Sequence, residues 1–358
     1  MKERTTKAAA TIGLDLAKSV FQVHGVDESG QRLFSRSLKR GEVMAFFAAQ
    51  GRCLVAMEAC SSAHHWARQL VKLGHEVKLI PPQYVRPFVK RQKTDANDAA
   101  AIAEAARRPD MRFVAIKTVE QQVVLAEHRV REGLLKQRTA LSNRLRGLLA
   151  EFGVVMPRGA RALREHLAQA LAPVDGEAPT ALKPLLAQMQ EQMRRLDDDI
   201  AQVERAIQHW HRGNEASRRL AEVPGIGYLT ASATVATVND ARQYRSARQF
   251  GAALGITPRQ HSSGGRIVLG GISRQGDGYL RRLYIHGARA VVHAHARRVQ
   301  VQPQAARGWL HEIVQRRPKN VAIVAQAHRS MRVAWALLRH PQRRFDPQFR
   351  SRATPMAA

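Results

Sequence analysis

Four carboxylates carry the chemistry that this sequence can do. Asp15 stands inside the apolar run Thr11-Ile-Gly-Leu-Asp-Leu16, and Glu58 closes the run Cys53-Leu-Val-Ala-Met57. A charge within a buried strand costs several kcal/mol unless it is paired or holds a cation. Asp95 and Asp98, in Lys93-Thr-Asp-Ala-Asn-Asp98, are three residues apart at the head of an Ala-rich stretch and share one helix face. Four hard oxygen donors suit Mg2+ or Mn2+, not a soft metal. Two such ions activate a nucleophile and stabilise the leaving oxygen of a phosphodiester. Each acid also has an ordinary explanation. Asp95 and Asp98 can cap a helix, an effect of about 1 kcal/mol; Asp15 can pair with Lys18 or an arginine, and Glu58 can cap the helix opened by Ser61 and Ser62. The combination of a strand Asp, a strand-end Glu and a helical Asp-x-x-Asp, in that order, favours a metal site.

Those acids need elements to position them. Thr11–Leu16, Val20–Val26 and a run around Arg32–Leu38 read as a three-strand meander, with Asp27-Glu-Ser-Gly30 as a turn. A helix over Gly41–Gln50, a strand at Cys53–Met57, a helix over Ser62–Leu73 and a strand at Val77–Ile80 follow, then another helix. That βββαβαβ order is the connectivity of an α/β RNase H-like fold, in which the first and fourth strands are neighbours. A long helix from about Glu120 to Phe152 carries Val130, Leu134, Leu141, Leu145, Leu148 and Phe152 on a face. A second helix repeats Leu182, Leu186, Met189, Met193, Leu196, Ile200, Val203, Ile207 and Trp210 in steps of four and three, the seam of a coiled coil. The pattern says that this face is buried, by the same chain or by a partner. Pro157–Pro184, between the two helices, reads as a connector.

From Ser217 to Arg339 the chain reads as helical and glycine-punctuated. Val223-Pro-Gly-Ile-Gly227 fits a helix-hairpin-helix turn, in which Gly225 and Gly227 let backbone N–H groups approach a phosphate, and equally fits a plain interhelical turn. Ser262-Ser-Gly-Gly-Arg266 and Gly271-Ile-Ser-Arg-Gln-Gly-Asp277 read as loops able to hold a phosphodiester closely. Arg259, Arg266, Arg274, Arg281 and Arg282, in and around them, are expected nucleic-acid contacts.

Bulk properties agree. With 358 residues, 44% of them hydrophobic, the chain can bury a real core in two or three domains. Its net charge of +29 points to a polyanion, and 25 Lys and Arg against 6 Asp and Glu between His211 and Ala358 place most phosphate contact there. Nucleic acid is favoured over an anionic membrane, because no stretch approaches the roughly 20 apolar residues of a spanning helix and no signal peptide opens the chain. A cytoplasmic protein is expected. The two cysteines, Cys53 and Cys60, cannot build a disulfide framework or a four-cysteine zinc site, and are expected to be small buried residues.

Gly13-Leu-Asp-Leu-Ala-Lys18, Met57-Glu-Ala-Cys60, Lys93-Thr-Asp-Ala-Asn-Asp-Ala99, Val223-Pro-Gly-Ile-Gly227, Gly255-Ile-Thr-Pro-Arg259 and Ser262-Ser-Gly-Gly265, six motifs in order from about Thr11 to Arg339, together resemble the insertion-sequence one-ten family of DEDD transposases. The chain has Ser61 where that pattern commonly has Gly, and Gln275 where a basic residue is frequent. The resemblance implies a RuvC-like (RNase H-like) catalytic domain over 1–117, a helical coiled coil over 118–213, a mainly helical transposase domain over 214–340 and a tail over 341–358. It implies Asp15, Glu58, Asp95 and Asp98 as metal ligands and Ser263, neighbour of Ser262, as the nucleophile toward DNA. It further implies donor and target DNA as substrates, a structured guide RNA, a dimeric or tetrameric assembly, and a bacterial, nucleoid-associated location. A RuvC-like endonuclease using water as nucleophile, and a non-catalytic nucleic-acid scaffold, are the alternatives.

Overall fold

In the computed structural model, which describes residues 8–90, 94–172 and 178–346, the chain forms two compact units. One is built on residues up to Val119 with Val238–Arg245, the other on Glu120–Thr237 with the residues from Ser246 on.

The first unit contains β1 (Thr11–Asp15), β2 (Val20–Val26), β3 (Arg32–Lys39), α1 (Val43–Ala48), β4 (Leu54–Glu58), α2 (Ala63–Lys72), β5 (Glu76–Ile80), the single turn α3 (Pro82–Val85) and α4 (Asp95–Ala106). The meander followed by alternating helix and strand is the expected order. The sheet runs β3-β2-β1-β4-β5, with the first three strands antiparallel and β4 and β5 parallel to β1. Side chains alternate across a strand, so β1 serves two layers. Ile12 and Leu14, with Phe21, Val23, Val55 and Met57, bury against Phe46, Phe47, Trp66 and Leu70 of α1 and α2. On the opposite face Ala56 packs with Ala101, Ile102 and Ala105 of α4. Gly13 is needed there: a Cβ at that position would stand 2.1 Å from the Ala99 carbonyl oxygen and 2.7 Å from the Ala103 nitrogen. The missing side chain is what lets α4 lie directly on β1.

The second unit opens with α5 (Val119–Ala150), α6 (Ala160–Ala170) and α7 (Lys183–Gly213). Arg131 pairs with Glu204 at 2.6 Å and Arg138 with Asp197 at 2.9 Å, while Trp210 Nε1 donates to Glu120 at 2.5 Å, so α5 and α7 run antiparallel. Leu186, Met189 and Met193 of the 4-3 seam are buried within this chain, against Leu141, Leu145 and Leu149 of α5 and Leu163 and Leu167 of α6. Two expectations are corrected here. The segment read as a connector contains α6, whose Leu163/Leu167 pair closes the core; its residues 173–177 lie outside the described ones. The buried stripe of α5 runs through Val124, His128, Leu141, Leu145 and Leu149, while Val130 and Phe152 are 53% and 51% exposed.

The unit continues with α8 (Glu215–Ala221), α9 (Tyr228–Val238), α10 (Ala247–Ala253), β6 (Pro258–Ser263), β7 (Arg266–Ile272), α11 (Gly278–Val301), α12 (Trp309–Arg316) and α13 (Lys319–Arg339). Helix α13 packs against α10 and α11. The segment read as loops around Ser262 is instead an antiparallel hairpin, β6 with β7. No helix among the described residues is long and apolar enough to cross a membrane.

Candidate active site

Asp15 and Glu58 are the last residues of neighbouring parallel strands. Leu14 pairs with Met57, so the two acids follow in step, and both are half-buried. Alternation puts Asp15 on the face of Gly13 and Glu58 on the face of Ala56, the side that α4 covers. The direction of α4 follows from its far end. Arg107 donates to the Glu28 carbonyl at 2.7 Å, and Glu28 follows β2 where Val26 pairs with Thr11, the start of β1. The head of α4 therefore points toward the end of β1. From Gly13 to Asp15 the strand rises about 6.6 Å, and from Ala99 back to Asp95 the helix rises about 6 Å, which brings the level of Asp95 to that of Asp15.

The helix cap is Thr94, whose side chain accepts from the Asn97 amide at 3.3 Å. Asp95 and Asp98 lie inside the first turn, the former exposed and the latter half-buried, leaving the capping role to Thr94. Lys93 of the motif lies outside the described residues. The electropositive end of α4 faces the sheet end that carries Asp15 and Glu58, which favours carboxylates there. Cys60 reports on both strand acids. Burial first, then the negative charge of Glu58 and, more weakly, of Asp15, push its thiol above the ordinary value. Among the described residues, no three His, Cys, Asp or Glu side chains stand close enough together to ligate one ion. The structure thus brings the strand acids and the helix head to one sheet end without closing a ligand shell. As hard oxygen donors, the four carboxylates fit a divalent cation of the Mg2+ kind by chemistry.

Ser263 sits in the second unit at the tip of the β6–β7 hairpin, paired with Arg266. Gly264 and Gly265 have φ of +55° and +77°, the pair of positive angles of a type I′ turn that glycine adopts without strain. Ser262 pairs with Ile267, and its Oγ accepts from Gln260 Nε2 at 2.9 Å. The two serines therefore face opposite sides of the ribbon, Ser263 with Arg266 and Ser262 with Ile267. Every residue of β6 is exposed, as are Ile267, Val268 and Leu269. The base of the hairpin is tight. A Cβ on Gly255 would stand 2.0 Å from the Gln275 carbonyl oxygen, and one on Gly276 would stand 1.9 Å from that of Ala253.

The other expected contacts divide. Gly225 gives its missing side chain to α11, where a Cβ would stand 2.9 Å from the Gly287 carbonyl oxygen, whereas Gly227 meets open space before α9. Arg259, Arg266 and Arg274 are exposed, and Arg274 holds a positive φ of 58°. Arg281 donates to the carbonyls of Leu254 and Gln275 at 2.7 and 3.0 Å, bracing the hairpin base, and Arg282 pairs with Glu132 of α5.

Residues 12–154 match a DEDD-type family model described as Transposase, and residues 217–302 match one described as Transposase IS116/IS110/IS902 family. The chain is 51% identical to a "probable family 20 transposase" of Pseudomonas aeruginosa, across 91% of this chain and 96% of that protein. It is 42% identical to the transposase for insertion sequence element IS1111A of Coxiella burnetii, across 94% and 92%. With the transposase for IS1328 of Yersinia enterocolitica the identity is 39%, across 91% and 96%. The chain belongs to the IS116/IS110/IS902 family of transposases. It is an enzyme that cleaves and rejoins DNA for insertion-sequence mobility. The first match spans all four acids of the transposase, and its DEDD character carries a divalent-cation dependence; the second spans Ser263 and the arginines around it. Three residues of the transposase carry roles that their place in the sequence does not show. Cys60, expected to be buried, is half-buried and feels the charge of both strand acids, while Cys53 is buried as expected. Gly13 sets the height of α4. His128 binds Tyr279 at 2.9 Å and Ser232 at 3.0 Å, tying α5 to α11 and α9. Only the position of Glu58 and Cys60 in one short motif was a signal for the first; the others depend on tertiary neighbours.

Proposed function

We propose that this transposase exchanges DNA strands through attack by Ser263, with Asp15, Glu58, Asp95 and Asp98 holding Mg2+ or Mn2+ in an RNase H-like (RuvC-like) domain. The placement of Asp15 and Glu58 at adjacent parallel strand ends, with the acidic head of α4 directed at the same end, carries this reading. A bound divalent cation supplies charge neutralisation at the phosphodiester and lowers the pKa of an attacking hydroxyl. The serine Oγ forms a bond to phosphorus, one backbone P–O bond breaks, and the leaving oxygen takes the proton that Oγ gives up. The energy of the ester is kept in the phosphoserine, so a DNA hydroxyl can reverse the step and rejoin strands without a nucleotide cofactor. Exposed Arg259 and Arg266 offset phosphate charge beside the serine.

Domain limits of 1–117, 118–213 and 214–340 with a tail at 341–358, a coiled coil built on α5 and α7, a structured guide RNA that selects donor and target, a dimeric or tetrameric assembly, and a cytoplasmic, nucleoid-associated location complete the proposal. The basic excess between His211 and Ala358 supports the nucleic-acid part. The test is to incubate the protein with element-end DNA, its flanking transcript and Mg2+, then denature and look for protein-linked DNA. The expected result is a phosphoserine adduct at Ser263 that disappears with chelator and with Ser263→Ala. Cleavage that proceeds in Ser263→Ala with no adduct would assign attack to water and overturn the serine step.

A further inference from the structure

In the second unit, the end of α11, the loop that follows it, α12 and α13 line an open cleft of about 500 Å³. That is the size of a small-molecule site. Arg298, Arg307 and Arg329 line it with Trp309, His295 and Gln302, and no carboxylate is among its lining residues. Three guanidinium groups facing one cavity without an acid repel one another and attract an anion, and the planar fork of arginine matches phosphate oxygens two at a time. Arg329 lies 4.8 Å from the centre of the Trp309 ring, so the indole is held as a platform with a cation against it. His295 packs edge-on to His311 at 5.7 Å, and its Nε2 is buried without a hydrogen-bond partner. A buried ring nitrogen left unpaired calls for a ligand atom. Burial first, then His311 and Arg298, lower the pKa of His295 from its ordinary value.

We infer that this cavity receives one unpaired nucleotide, its base stacked on Trp309 and its phosphate held by Arg298 and Arg307. A flat aromatic surface, arginines and an amide side chain at Gln302 are what a nucleotide presents a use for; a duplex keeps its bases stacked inside and cannot enter. The site takes unpaired DNA or unpaired RNA by the same chemistry. None of its lining residues is one of the four acids or Ser263.

The experiment measures binding of the full-length protein to labelled single strands of about ten nucleotides, in DNA and RNA arms, and to a blunt DNA duplex, at one salt concentration. Trp309→Ala is expected to weaken single-strand binding about tenfold in at least one arm, and Trp309→Phe to restore most of it. Duplex affinity stays within about twofold, because duplex binding rests on backbone charge. Arg307→Gln, at an exposed loop position that leaves the fold intact, weakens the same arm and flattens its salt dependence by about one ion. The arm that falls names the strand. If both variants keep wild-type single-strand affinity, or lose single-strand and duplex affinity equally, the site is refuted. Asp15→Asn serves as a control that abolishes cleavage while leaving these affinities intact, so failure of this inference and failure of the serine reaction give different results.

Discussion

At Asp15 and Glu58 a small chemical change separates chemistry from folding. Asp15→Asn keeps the volume and the hydrogen-bonding capacity of a half-buried side chain while removing its charge. Cleavage and adduct formation are expected to fall by more than the roughly 10–100-fold typical of a change one shell away from a metal, with thermal stability and nucleic-acid binding retained. A strand-cleavage time course with Mg2+ checks this, and an active Asp15→Asn enzyme would remove Asp15 from the ligand set. The two serines provide a second residue-level contrast. Because they face opposite sides of the ribbon, Ser262→Ala is expected to retain the covalent adduct that Ser263→Ala loses, read by denaturing gel and peptide mapping. His128 makes a prediction about pH. Burial first, then Arg131, hold it down to about 4 from an ordinary value of 6.5. Its folded pKa lies below its unfolded one, so the unfolded chain binds the proton first. The stability from a neutral His128 is complete above about pH 6.5 and drains away as pH falls toward 4, amounting to about 3 kcal/mol over that interval. Denaturant titrations of wild type and His128→Gln across this range should show the variant with the flatter profile.

Elements explain what single residues cannot. Gly13→Ala places a methyl into the backbone of α4, and overpacking of this kind costs about 1–3 kcal/mol. It should also lift Asp95 and Asp98 away from the sheet end, so cleavage is expected to fall further than the lost stability accounts for, measured at a temperature where the variant remains folded. The central strands were readable as short unbroken apolar runs bounded by turn residues, because β1 and β4 are buried on both faces, and the α7 seam because its period of 3.5 persists over the whole helix. Asp15 and Glu58 stand out as charges at the ends of those runs, and Asp95 and Asp98 as a pair at the head of an Ala-rich helix. The β6–β7 hairpin was hidden. Its strands mix Gln, His and Ser with an unbroken Ile267-Val-Leu269 and are wet on both faces, so no alternation betrays them; only the Gly264-Gly265 pair marks the turn. Helix α6 was masked by proline on either side and by having just two buried leucines. On α5, Val130 and Phe152 fit a helical spacing yet face solvent, because α6 and α7 select the stripe, and spacing within one helix does not contain its neighbours.

For the molecule as a whole, the unequal distribution of charge sets the behaviour with its partners. The 25 basic against 6 acidic residues beyond His211 imply that binding is driven by release of counterions, at close to one per neutralised phosphate. The logarithm of affinity for duplex DNA should fall linearly with the logarithm of salt concentration, with a slope steeper than about −5. A shallow slope, measured by fluorescence anisotropy, would move the main contacts off the basic half. The glycine-clamped ribbon then acquires a mechanical meaning. A six-residue strand reaches roughly 20 Å, so a rotation of about 10° where it is rooted sweeps the tip by about 3.5 Å, more than the tolerance of a near-attack geometry. Gly255 and Gly276 are in effect the fulcrum of a lever, and a change there would displace the Ser263 hydroxyl without touching it, which the proposed attack would register as lost adduct.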